Sequence, residues 1–66
     1  MAFGENLKKR REALGITTAE LAESALIAQQ QISKYEAGLS LPSVIVAAKM
    51  AERLGVTVEY LVNGEE

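Results

Sequence analysis

Glycines at positions 15, 38, 55 and 64 cut this chain into short pieces, and the pieces carry apolar residues at helical spacing. A glycine just past a periodic stretch is a natural helix stop, because it takes a left-handed backbone at no steric cost. Phe3, Leu7 and Leu14 share one stripe, which predicts helix 1 over about residues 3–14 with Gly15 as its stop. In "ITTAELAESA", Thr17 followed three residues on by Glu20 is a capping box. It opens helix 2 over about residues 18–25, with Leu21, Ala22 and Ala25 inward. A turn through Ile27 leads to helix 3, about 28–36, with Ile32 and Tyr35 inward and "EAG" ending it. Pro42-Ser43 opens helix 4, about 43–54, on a stripe of Val44, Ala47, Ala51 and Leu54. Thr57 caps a last helix, about 58–62, which Asn63-Gly64 closes. No segment alternates with period two, so no sheet is expected. The predicted fold class is all-α: a compact bundle of five short helices in a single domain, residues 1–66, with sequential helices as neighbours.

Composition excludes several functions. A chain of 66 residues is near the lower limit for a self-supporting core. It has no cysteine and no histidine, which removes disulfides, the commonest metal ligands and the commonest general base. No metal site, cofactor or small-molecule ligand is expected. Nor is an enzyme, since no nucleophile–base pair or carboxylate dyad stands out. No apolar run approaches the ~20 residues of a membrane span, and no basic-then-apolar leader opens the chain. A soluble cytoplasmic protein is the expectation. The net charge is −2, but it is uneven: residues 1–34 hold five cations against four glutamates, and residues 35–66 hold two against five. The front half can face a polyanion that the back half repels.

Helix 2, a tight turn and helix 3 have the dimensions of a helix-turn-helix. Two steeply crossing helices need a small residue where they meet, and Ala22 supplies it. Ile32 and Tyr35 anchor the back of helix 3, leaving Gln29, Gln30, Ser33 and Lys34 on its outer face. A glutamine amide both donates and accepts, so it grips adenine N6 and N7 together. At the start of a helix such side chains project into a major groove. Gln31 points about 100° away from Gln30 and stays outside the reading set.

The stretches "LKKRREALGIT", "AELAE", "QQQISKYEAG", "LPS" and "AERLGVTVEYLVNG" resemble, in order and spacing, the DNA-binding domain of lambdoid phage repressors and Cro proteins, within the Xre family of bacterial regulators. The resemblance covers residues 3–64. It implies a lambda-repressor-like bundle and a sequence-specific transcription regulator, a repressor, binding double-stranded operator DNA as a homodimer. By matching position, Gln29 and Gln30 read bases, and Lys34, one turn later, touches a base or a phosphate. The resemblance pairs Arg11 with Glu36 as a structural ion pair, with a secondary phosphate contact for Arg11. Thr17, Thr18 and Arg10 are further phosphate candidates. For Arg10, and for Lys8 and Lys9, a solvated helix face is the competing reading.

The chain also departs from this pattern. Thr18 replaces a glutamine that holds a phosphate. Leu26 replaces the turn glycine; a left-handed backbone costs leucine roughly 1 kcal/mol, so a rebuilt turn is expected. Ala28 replaces a Ser or Thr cap, a loss of ~1 kcal/mol. The loop "AGLSLP" replaces a basic one and offers no charge to a DNA backbone. Leu39, Leu41, Ile45 and Val46 either fold into the core or form an exposed apolar patch. An exposed patch implies a partner. If that is a second copy, Leu39, Leu41, Tyr60 and Val62 form the dimer interface. The competing function is a protein-interaction module that uses the patch around Leu39, Leu41 and Ile45.

Overall fold

The computed structural model describes residues 2–64 as five α-helices: α1 (Phe3–Ala13), α2 (Thr18–Ala25), α3 (Gln29–Glu36), α4 (Val44–Leu54) and α5 (Val58–Asn63). None of the described residues lies in a strand. The predicted boundaries hold to within a residue because the signals at each end are local. Thr17 Oγ1 accepts from the Glu20 N–H at 3.0 Å, and Glu20 Oε1 accepts from the Thr17 N–H at 2.9 Å. Those bonds from Thr17, backbone first, hold the Glu20 carboxyl below the usual glutamate range. Ser43 caps α4 by accepting from the Val46 N–H at 3.2 Å, and Thr57 caps α5 by accepting from the Tyr60 N–H at 2.9 Å. At α1 and α3 an alanine holds the cap position: neither Ala2 nor Ala28 gives its helix a side-chain bond.

Leu7, Leu21, Ile32, Met50, Leu54 and Leu61 are fully enclosed, and each comes from a different turn of a helix. Phe3, Ile16, Ala22 and Tyr35 close the core around them. Two expected core positions lie outside it. Leu14 follows the last residue of α1 and is 44% exposed, while Ile16, in the turn, is buried. Val44 is 82% exposed, because α4 packs through Ala47, Met50, Ala51 and Leu54 and its first turn overhangs the core. Met50, absent from the predicted stripe, takes the central place.

The turn between α2 and α3 is not rebuilt. Leu26 takes the left-handed conformation itself, at φ 59° and ψ 41°. Its geometry lets the Ile27 N–H reach Ala22 O at 3.0 Å, and Ile27 packs against the core. The Leu26 side chain is 81% exposed and returns little for the strain. Leu26→Gly is therefore expected to stabilise the protein by about 0.5–1 kcal/mol, net of glycine's larger unfolded-state entropy. That corresponds to a thermal midpoint raised by roughly 2–8 °C. A lower midpoint would show that the leucine side chain contributes packing.

Candidate nucleic-acid interface

Helix α3 is held from behind. Ile32 and Tyr35 bury the inner face of α3, and Ala22, 3% exposed, lets α2 cross it closely. Gln29, Gln30, Ser33 and Lys34 all lie exposed on the opposite side. Gln31 is half-buried, with its Nε2 3.5 Å from the Tyr35 hydroxyl, so it flanks this face. Ala28, just before Gln29, is also exposed, as is Leu26.

Gln29 is not a free rotor. Its Nε2 donates to Thr18 Oγ1 at 2.9 Å, joining the first residue of α3 to the first residue of α2. Thr18 keeps its hydroxyl proton to give outward. Gln29 keeps its carbonyl oxygen and one N–H. No signal within either helix reveals this link. Only the helix-turn-helix arrangement brings residues so far apart in sequence together.

The phosphate candidates have other partners. The Thr17 backbone N–H and hydroxyl oxygen belong to the capping box. Arg10 Nε donates to Leu54 O at 3.0 Å, capping the end of α4. Arg11 engages all three guanidinium nitrogens: Nε and Nη2 donate to Glu36 at 2.6 and 3.1 Å, and Nη1 donates to Ile16 O at 2.9 Å. The hydrogen bond to Glu36 pushes the guanidinium pKa up, against the opposing effect of burial. Asn6, which no motif in the sequence singles out, donates from Nδ2 to Leu61 O at 3.0 Å. Asn6 and Arg10 lie one helical turn apart on α1 and clamp the last turns of α5 and α4, where carbonyls lack helical partners. Lys34 is both cationic and exposed, as are Lys8 and Lys9 on α1.

A second surface is apolar. Leu39, Leu41, Val44 and Ile45 are 62–82% exposed, so they form a patch and not core. Beside them Phe3, Leu41, Pro42, Val44, Ala47, Val58 and Val62 line an apolar groove of about 180 Å³. Val62 thus joins both the core and the groove. Tyr60 packs half-buried against the core and is not among the lining residues. Among the described residues, no group of His, Cys, Asp and Glu is arranged to hold a metal, and no helix is long and apolar enough to cross a membrane.

The family described as Helix-turn-helix matches residues 7–61. YonR of Bacillus subtilis, a prophage-derived HTH-type transcriptional regulator, is 36% identical over 62 residues, which is 94% of this chain and 57% of YonR. The fold is similar to SinR, the master regulator for biofilm formation, in its complex with DNA: the TM-score is 0.85 and identity 32%, over 92% of this chain and 98% of that one. It is also similar to the DNA-binding domain of the phage P22 c2 repressor, with a TM-score of 0.91 and 25% identity over 97% and 84% of the two chains. This chain spans 17, 57 and 32% of the length of three curated relatives that it matches. A match over both helices of the motif and most of what surrounds them, on a fold shared with a DNA-bound regulator and a phage repressor domain, establishes that the chain belongs to the helix-turn-helix family.

Proposed function

We propose that this protein is a sequence-specific DNA-binding transcription regulator, a repressor, that reads the major groove with α3 as a homodimer. It acts in the cytoplasm by occupying an operator and blocking polymerase, with no catalytic step. The observation that carries this reading is the Gln29–Thr18 hydrogen bond. It leaves Gln29 with one acceptor and one donor on the same amide, the pair that meets adenine N6 and N7. The bond limits the rotamers that Gln29 must give up on binding, which lowers the entropic cost of the contact. Gln30 reads the neighbouring position, and Ser33 and Lys34 extend the face by one turn. Thr18 offers its remaining proton to a phosphate.

The exposed patch of Leu39, Leu41 and Ile45, with Val62 in the groove beside it, supports pairing of two copies. An apolar surface of this size on so small a domain implies cover. Two-fold pairing sets the two copies of α3 ~34 Å apart, on half-sites one helical turn apart. The same patch also favours a second reading, a protein-interaction module on a helix-turn-helix scaffold.

Selection from random duplex DNA at low salt separates the two. The wild type is expected to enrich a palindromic site. Gln29→Ala and Gln30→Ala are expected to leave the fold intact and to lose ~1–3 kcal/mol at one base-pair position each. An equal loss on every sequence would show that these glutamines do not read bases. Failure of the folded wild type to enrich any duplex would transfer the assignment to the protein-interaction module.

A further inference from the structure

The charges around α2 and α3 have the wrong sign for a surface that grips DNA by its backbone. From Thr17 to Ser43, both helices and the following loop contain one lysine, Lys34, against Glu20, Glu23 and Glu36. Glu36 is neutralised by Arg11 and Glu20 lies in the field of Arg53, while Glu23 on α2 forms no ion pair among the described residues. No residue from Ala37 to Ser43 is charged. Arg10 and Arg11, the nearest alternatives on α1, are bonded to Leu54 O and to Glu36 and Ile16 O. Binding to arbitrary duplex DNA rests almost wholly on cations that displace counterions from phosphates. A domain without those cations retains base-edge contacts and loses the sequence-independent attraction.

We infer, resting on the DNA-reading function proposed above, that this domain binds its operator with little phosphate charge, so that base contacts and pairing carry the affinity. Glu20 and Glu23 oppose every phosphate alike, so they lower the affinity for all duplexes and leave the base contacts to set the preference. Two consequences are measurable. Affinity for unrelated duplex is very low even at low salt. Operator binding weakens only slowly as salt rises.

The slope has a bound. Lys8 and Lys9 are both exposed, but they are adjacent on α1 and so point about 100° apart. One of them with Lys34 on each copy gives about four phosphates neutralised by a pair. At about 0.9 per phosphate, log Kobs then falls with log[salt] no more steeply than about −4. The experiment titrates the full chain against the duplex enriched by selection, and against a scrambled duplex, from about 50 to 200 mM KCl. Ala37→Lys is run alongside. Ala37 caps the C-terminal end of α3 and is exposed, so a cation there suits the helix dipole and leaves the fold intact.

The expected result is a wild-type slope shallower than about −4, with little binding to the scrambled duplex. Ala37→Lys should steepen the slope by about 1.8 for a pair and tighten binding to both duplexes by a similar factor, which leaves the preference for the operator unchanged. A wild-type slope steeper than about −4 on an enriched duplex overturns the inference and leaves the DNA-reading function standing. So does an Ala37→Lys variant with the wild-type slope, because the loop would then lie away from the phosphates. If no duplex is enriched, or if Gln29→Ala binds the enriched duplex as tightly as the wild type, the DNA-reading function fails and takes this inference with it.

Discussion

Replacing Arg11 with alanine is expected to remove about 3 kcal/mol of stability, near the lower end of the range for breaking a buried pair. The Arg11 and Glu36 side chains are only 12% and 9% exposed. The two are joined by a two-pronged bond at 2.6 and 3.1 Å, and Arg11 also donates to Ile16 O at 2.9 Å. Arg11→Ala leaves the Glu36 carboxylate enclosed with no cation and frees the Ile16 carbonyl. It also deletes the aliphatic stem that packs between α1 and α3. A domain of this size has a total stability of roughly 3–10 kcal/mol, so the thermal midpoint should fall by about 12–24 °C. Neutralising the partner supplies the control. Arg11→Ala with Glu36→Gln is expected to melt above Arg11→Ala alone, because the buried charge is then gone. An unchanged midpoint for Arg11→Ala would show that the pair contributes nothing to folding.

Gly4→Ala is expected to be damaging as well, although alanine is the better helix former. A Cβ at Gly4 would stand 2.8 Å from Glu36 O and closer still to Tyr35 O. Both are backbone atoms, so no side chain can rotate away. α1 would have to lift off the end of α3, at the cost of an overpacked core, about 1–3 kcal/mol. Alanine's helix propensity returns up to about 1 kcal/mol. The net loss is about 1–2 kcal/mol, or roughly 4–16 °C in thermal midpoint. Gly4 and Arg11 lie two helical turns apart on the face of α1 that meets α3. Separating the helices at Gly4 therefore loosens the Arg11–Glu36 pair, and the double variant Gly4→Ala/Arg11→Ala should lose less than the sum of the two. A Gly4→Ala midpoint at or above the wild type would show that α1 has room to move at no cost.

The outer face of α3 is legible in the sequence. Gln29, Gln30, Ser33 and Lys34 follow from helical periodicity once Ile32 and Tyr35 are taken as inward, because a helix with one anchored face has only one other to offer. The Arg11–Glu36 pair is legible only through family resemblance, since its partners are 25 residues apart. The Arg10 clamp on Leu54 O is not legible, and the sequence leaves a phosphate contact and a solvated helix face open in its place. An arginine at the edge of an apolar stripe looks the same in sequence whether it reaches a carbonyl or a ligand. Gly4 carries no sequence signal for a related reason: a glycine inside a helix signals close approach only when the approaching backbone is known.

The sequence by itself determined where each helix starts and stops, which face of α3 turns outward, and that no disulfide or histidine site is available. Those outcomes rest on interactions within about four residues, such as the Thr17–Glu20 box, the Ser43 and Thr57 caps and the spacing of apolar side chains. Only the tertiary structure decided how the helix C-terminal ends are held and how Gln29 on the outer face of α3 is oriented. Asn6 reaches Leu61 across 55 residues, Arg10 reaches Leu54 across 44, and Thr18 orients Gln29 across 11. It also decided that Leu39, Leu41, Val44 and Ile45 stay outside the core. The core of a small domain ends where its helices stop crossing. That limit depends on how elements distant in sequence pack, and no local pattern records it.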